Sequence, residues 1–97
     1  MSAASKFASD MIVCRSERIA ARVVDECAVV IVIDENRLHT LNATGTAIWE
    51  HCDKKTVDEL ADWFSAKYAL EADVARRDVD AFLEELHSVG AIEVRVA

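Results

Sequence analysis

The apolar positions of the chain follow two different periods, and the change comes at Asn42. Before it the pattern is that of strands. Ile19 to Val24 is β-branched and partly alternating, and Asp25-Glu26 makes a tight turn. Cys27-Ala28-Val29-Val30-Ile31-Val32-Ile33 is continuously apolar, as in a strand paired centrally. Asp34-Glu35-Asn36 supplies turn-forming residues, and Arg37-Leu38-His39-Thr40-Leu41 returns antiparallel. These segments predict a meander of three strands with the second in the middle.

After Asn42 the spacing is helical. Asn42 or Thr44 can cap a first helix whose inward residues are Ala47, Ile48 and Cys52, and Asp53-Lys54-Lys55 ends it. Thr56-Val57-Asp58-Glu59 is a capping box: the Thr hydroxyl takes one free amide and the Glu carboxylate another. It opens a second helix with Val57, Leu60, Ala61, Phe64 and Tyr68 on one stripe, read as core. Asp73 can cap a third helix carrying Val79, Phe82, Leu83, Leu86 and Val89 inward. Gly90 suits a left-handed helix stop, and Ala91 to Val96 reads as a short final strand. The expected fold is α+β: a three-stranded antiparallel sheet followed by a three-helix bundle, with the look of a winged helix-turn-helix. Residues 1–17 are small and polar apart from Phe7 and Met11-Ile12-Val13-Cys14. They are expected as a flexible N-terminal arm, able to add a short strand, ahead of a domain spanning 18–97.

Composition narrows the function. At 97 residues and 53% hydrophobic, the chain has one core and too much apolar content for disorder. The net charge of −7 repels phosphate backbones and anionic lipid, so nucleic acid and membrane surfaces are poor partners. No apolar run approaches the roughly 20 residues of a membrane helix, and Met1 to Asp10 lacks the layout of a secretory signal. A cytoplasmic location is the expectation. Cys14, Cys27 and Cys52 are an odd number without metal-ligand spacing, so buried free thiols are expected, with no metal and no cofactor. No phosphate loop, no nucleophile beside a His at a known spacing and no distinguished carboxylate pair appears. The chain is not expected to be an enzyme.

The order and spacing of several ordinary pieces are more specific than any one of them. Leu41-Asn42 ends the third strand. Gly45-Thr46-Ala47-Ile48-Trp49-Glu50 follows, then Thr56-Val57-Asp58-Glu59-Leu60, then Asp78-Val79, Phe82-Leu83, Leu86 and Gly90-Ala91-Ile92. In this series the sequence resembles the PqqD-like family of peptide chaperones, also called recognition elements for ribosomally made, modified peptides, over about Glu17 to Val94. Two departures stand out: Asp53-Lys54 where the family usually has Asp-Gly, and Ala91 where Leu is commoner. Both leave the fold expectation intact. The resemblance implies a protein without chemistry of its own. It would bind the leader segment of a precursor peptide as an added strand, in a groove beside the third helix. A separate enzyme, often of the radical S-adenosylmethionine type, would then modify the core segment.

The residues agree with that implication. In a 1-2-3 meander the third strand is an edge, with free N–H and C=O groups that a second chain can complete. The candidate peptide-binding residues are Arg37, Leu38, His39 and Thr40 on that edge and Arg77, Asp78, Ala81 and Glu85 bordering the third helix's core stripe. An exposed edge also permits a homodimer by strand pairing or exchange. Trp49 and Trp63 read as core or core rim, and Arg76 as part of a solvated helix face. A winged-helix DNA-binding regulator is the alternative from another class. Its reading helix would set Arg76 and Arg77 against five acids between Asp73 and Val89, a net of −3, which is badly placed against phosphates.

Overall fold

The computed structural model describes residues 7–96. Two three-stranded antiparallel sheets and three helices share one hydrophobic core. In chain order the elements are β1 (Ile12–Arg15), β2 (Ile19–Val24), β3 (Cys27–Val32), β4 (Arg37–Thr40), α1 (Ala43–His51), β5 (Lys55–Thr56), α2 (Val57–Tyr68), α3 (Ala72–Ser88) and β6 (Ile92–Arg95).

The meander forms as its sequence pattern indicates, in the order β2-β3-β4. Its first turn places Asp25 and Glu26 at φ of 52° and 67°, the mirror-image geometry that matches strand twist. A single 3-10 turn over Ile33–Glu35, closed by left-handed Asn36, joins β3 to β4. Ala28, Val30 and Val32 are buried on the face toward the helices.

The second sheet, β5-β1-β6, was not anticipated as a sheet. The expected arm over 1–17 divides: residues 1–6 lie outside the described residues, and Ile12–Arg15 is the central strand. Val13 is fully buried, and its carbonyl accepts from Lys54 N–H at 2.7 Å. Phe7 is buried too, edge-on to His87 with ring centroids 5.7 Å apart. Arg76 fixes this segment to α3. Its guanidinium donates to the Phe7 carbonyl and the Ser9 hydroxyl, both at 2.8 Å, and pairs with Asp80 at 3.1 Å. A solvated Arg76 is therefore corrected: its charge is spent on holding the N-terminal segment. Arg15 links β1 to the end of α1, donating to the Trp49 carbonyl at 2.7 Å.

The helices start and stop for local reasons. The Asn42 side chain accepts from Gly45 N–H at 2.7 Å and caps α1. Thr56 and Glu59 form the full capping box of α2. α3 begins two residues earlier than an Asp73 cap implies, at an N-cap Glu71 that makes no side-chain cap bond. Gly90, at φ of 83°, takes the left-handed turn into β6. Tyr68 is another correction. It is exposed and leans on Phe64, because the last turn of α2 runs past the end of the core.

Candidate functional site: a strand edge beside an apolar groove

The direction of each backbone polar group on β4 follows from one hydrogen bond. Leu41 N–H donates to the Ala28 carbonyl at 2.8 Å. In an antiparallel pair, successive residues alternate between facing the partner and facing away. The register pairs Thr40 with Val29, His39 with Val30, Leu38 with Ile31 and Arg37 with Val32. His39 and Arg37 therefore bond to β3, whereas Leu38 and Thr40 direct their N–H and C=O outward. The other side of β3 agrees: Ile33 N–H donates to the Arg18 carbonyl of the β2 side at 3.0 Å. Among the described residues no strand covers the outer edge of β4.

The end of β4 is fixed by a buried hydroxyl. Thr46 is 3% exposed, and its Oγ1 accepts from Ala28 N–H at 2.7 Å and donates to the Leu41 carbonyl at 3.4 Å. The ladder between β3 and β4 thus ends on α1 with its last amide satisfied. This holds the edge rigidly where the chain turns into the helix.

Beside the edge lies a groove of about 230 Å³, lined by Leu38, His39, Thr40 and Leu41 on one side and by Phe82, Glu85, Leu86 and Val89 on the other. Five of its eight lining residues are apolar, with polar backbone and the side chains of His39, Thr40 and Glu85 between them. His39 shares the helix-facing side of the sheet with its partner Val30, and its Nε2 is buried with no hydrogen-bond partner. Leaving a buried polar atom unpaired costs about 1–3 kcal/mol, so such atoms are rare in folded proteins, and a hydrogen-bond donor entering the groove would satisfy this one.

Four of the sequence candidates meet in this groove: Leu38, His39, Thr40 and Glu85. Arg37 continues β4 and is exposed. Arg77, Asp78 and Ala81 are exposed on α3 but do not line the depression. Sequence reasoning assigned Phe82 and Val89 wholly to the core, yet both are only partly buried and form the groove's far wall. Their signal was present. A helical stripe as wide as Val79, Phe82, Leu83, Leu86 and Val89 exceeds what one packing partner covers.

Two larger depressions show that size does not choose the site. One, of about 450 Å³, lies between the β2–β3 turn, α1 and the end of α2, with Glu26, Glu50 and Lys67 in its wall. The other, of about 470 Å³, lies on the outer face of β2 and β3. Neither adjoins the outward backbone groups of β4. Among the described residues there is no cluster of His, Cys, Asp and Glu able to hold a metal, and no helix long and apolar enough to cross a membrane.

Comparison with known proteins adds three findings. The family model described as coenzyme PQQ synthesis protein D (PqqD) matches residues 27–92. The fold is similar to a solved structure titled TbiB1 in complex with the TbiA(beta) leader peptide. The TM-score is 0.77 at 23% identity, over 82% of this chain and 94% of that one. It is likewise similar to lasso peptide synthetase B1 complexed with the leader peptide, with a TM-score of 0.74 at 21% identity over 84% of this chain and 96% of that one. No curated protein matches the sequence.

Proposed function

The chain belongs to the PqqD family, and from that premise we propose that it captures the leader segment of a ribosomally made precursor peptide for a separate modifying enzyme. The leader adds as a strand to the outer edge of β4, with alternate side chains lying in the groove against α3. The observation that carries this reading is the pair of residues Leu38 and Thr40, whose four outward backbone groups run along an apolar groove. β2 is also an edge, but the depression beside it is walled by Glu26, Glu50 and Lys67. It carries three charged side chains, where the groove beside β4 carries one, Glu85.

Magnitudes say what the groove must contribute. Four backbone hydrogen bonds at about 1 kcal/mol net supply about half of the 8 kcal/mol that micromolar affinity requires. The other half corresponds to about 160 Å² of apolar burial at about 25 cal/mol/Å², roughly one aromatic side chain. Association also costs at least about 4 kcal/mol in lost freedom, so a second apolar anchor is needed. Backbone pairing therefore gives attachment, and the groove gives selectivity. The modification chemistry belongs to the enzyme partner, of the radical S-adenosylmethionine type or another peptide-maturing class, and both proteins work in the cytoplasm.

Calorimetric titration of the purified chain with the leader of its cognate precursor tests the reading. Binding at micromolar affinity is the expected result. A verified cognate leader that shows no heat at high micromolar concentration would contradict it.

A further inference from the structure

We propose, resting on the strand-addition reading above, that the outer face of the β2-β3-β4 sheet docks the modifying enzyme through an apolar surface bearing a carboxylate. The registers define this face. Ala20, Ile31 and Leu38 form one cross-strand row, and Arg22, Val29 and Thr40 the next. Ile31 is 38% and Leu38 61% exposed. An antiparallel sheet with one face on the core normally alternates to a polar outer face. Here 30% of the chain's residues are charged, yet Arg22 is the one charge in these two rows. Arg22 is exposed and makes no ion pair among the described residues.

A second copy of the chain is a poor occupant. β2 and β3, about 20 Å long, and β4, about 13 Å long, spaced about 4.8 Å apart, offer about 250 Å² per partner. A stable interface takes about 800 Å² per partner. A two-fold stack would also bring two Arg22 guanidinia together, and no acid stands in either row to separate them. For an enzyme the bound leader enlarges the face, and contacts to the leader's remaining length add to it. Successive residues of an added strand point to opposite faces, so half of the leader's side chains emerge here, next to Leu38 and Thr40. The loaded domain then presents a four-stranded face made partly of leader. A partner reading it recognises domain and leader as one surface, and its carboxylate meets Arg22 in an apolar surround where the pair is strongest.

The test uses the full chain, a fluorescent cognate leader and the purified enzyme that converts the cognate precursor. The variants are Arg22→Glu and Ile31→Ser, both at exposed positions outside the groove, with circular dichroism melts confirming the fold. Leader affinity should stay within about twofold of wild type, while enzyme affinity for the loaded domain falls about tenfold in each variant. Equal enzyme binding by wild type and variants overturns the docking face while leaving leader capture standing. Sedimentation showing a wild-type dimer that Ile31→Ser dissociates overturns it in favour of a second copy. A leader that fails to bind the wild-type chain removes the strand-addition reading and this inference with it.

Discussion

Gly45 and Phe82 approach so closely that a β-carbon at position 45 would lie 2.8 Å from Phe82 Cε1 and 3.3 Å from Cζ. The first turn of α1 therefore seats the ring that forms the groove's far wall. Alanine in a helix is ordinarily worth about 1 kcal/mol over glycine. Here Gly45→Ala must push the ring toward the groove, so that gain should be cancelled and leader affinity should fall at least about threefold. Phe82→Ala should lower affinity about tenfold through loss of the apolar wall. Thermal melts and calorimetry check both. A Gly45→Ala domain that melts several degrees higher with unchanged affinity would show that the contact constrains nothing.

The alternation along β4 makes two adjacent prolines behave oppositely. Proline removes an N–H and fixes φ. At His39 the lost N–H faces Val30 inside the sheet, so His39→Pro should destabilise the domain by about 3 kcal/mol or more. At Thr40 the lost N–H faces outward, so Thr40→Pro should stay folded and bind leader poorly. If both variants fold and bind like wild type, the leader docks elsewhere.

β1 carries a prediction about the N-terminal segment. It is the central strand of its sheet, with Val13 and Phe7 buried in the core. Truncating two such side chains would each cost roughly 2–5 kcal/mol, much of a small domain's stability. Removing residues 1–17 should therefore give a chain that is unfolded or melts far lower. A truncated chain with a wild-type melting temperature would mean that the segment is a free arm after all.

Much of this was legible in the sequence. The meander, the three helices, the capping box at Thr56 and Glu59 and the Gly90 stop each depend on residues within a few positions of one another. Of the second sheet, the final strand and a short N-terminal strand were legible but their pairing was not, because Ile12-Val13-Cys14-Arg15 has a single fully buried residue, too little for a period. Its partners, Lys55-Thr56 and Ile92–Arg95, lie far off in sequence. The site was half legible. Leu38, His39 and Thr40 followed from strand order together with the family resemblance, which singles out β4 from the two edges of the meander. Phe82 and Val89 were misplaced because an apolar helix residue looks the same whether it faces core or groove, and only the tertiary position of β4 separates the two.

Cys52 gives a pH-dependent signature. Burial pushes its thiol up to about 11, and its Sγ donates to the Trp49 carbonyl at 3.3 Å. A folded-state value raised above the ordinary one, near 9, favours folding fully below pH 9. That contribution, of order 2 kcal/mol, is lost as pH rises through about 11. Iodoacetamide at pH 8 should modify the partly exposed Cys14 and Cys27 well before Cys52, which should react only on unfolding. Mass spectrometry of the native protein reads the order directly, and early labelling of Cys52 would contradict its placement.

The central claim is that a leader completes the outer edge of β4, and amide hydrogen exchange at Leu38 and Thr40 tests it most directly. In the free domain both amides face outward and should exchange rapidly, while His39, bonded to β3, exchanges slowly. With saturating leader, Leu38 and Thr40 should slow by about tenfold or more, with the β2 edge unchanged at Ala21 and Val23. Protection that appears on β2 instead, or a saturated complex in which Leu38 and Thr40 still exchange rapidly, would contradict strand addition at β4.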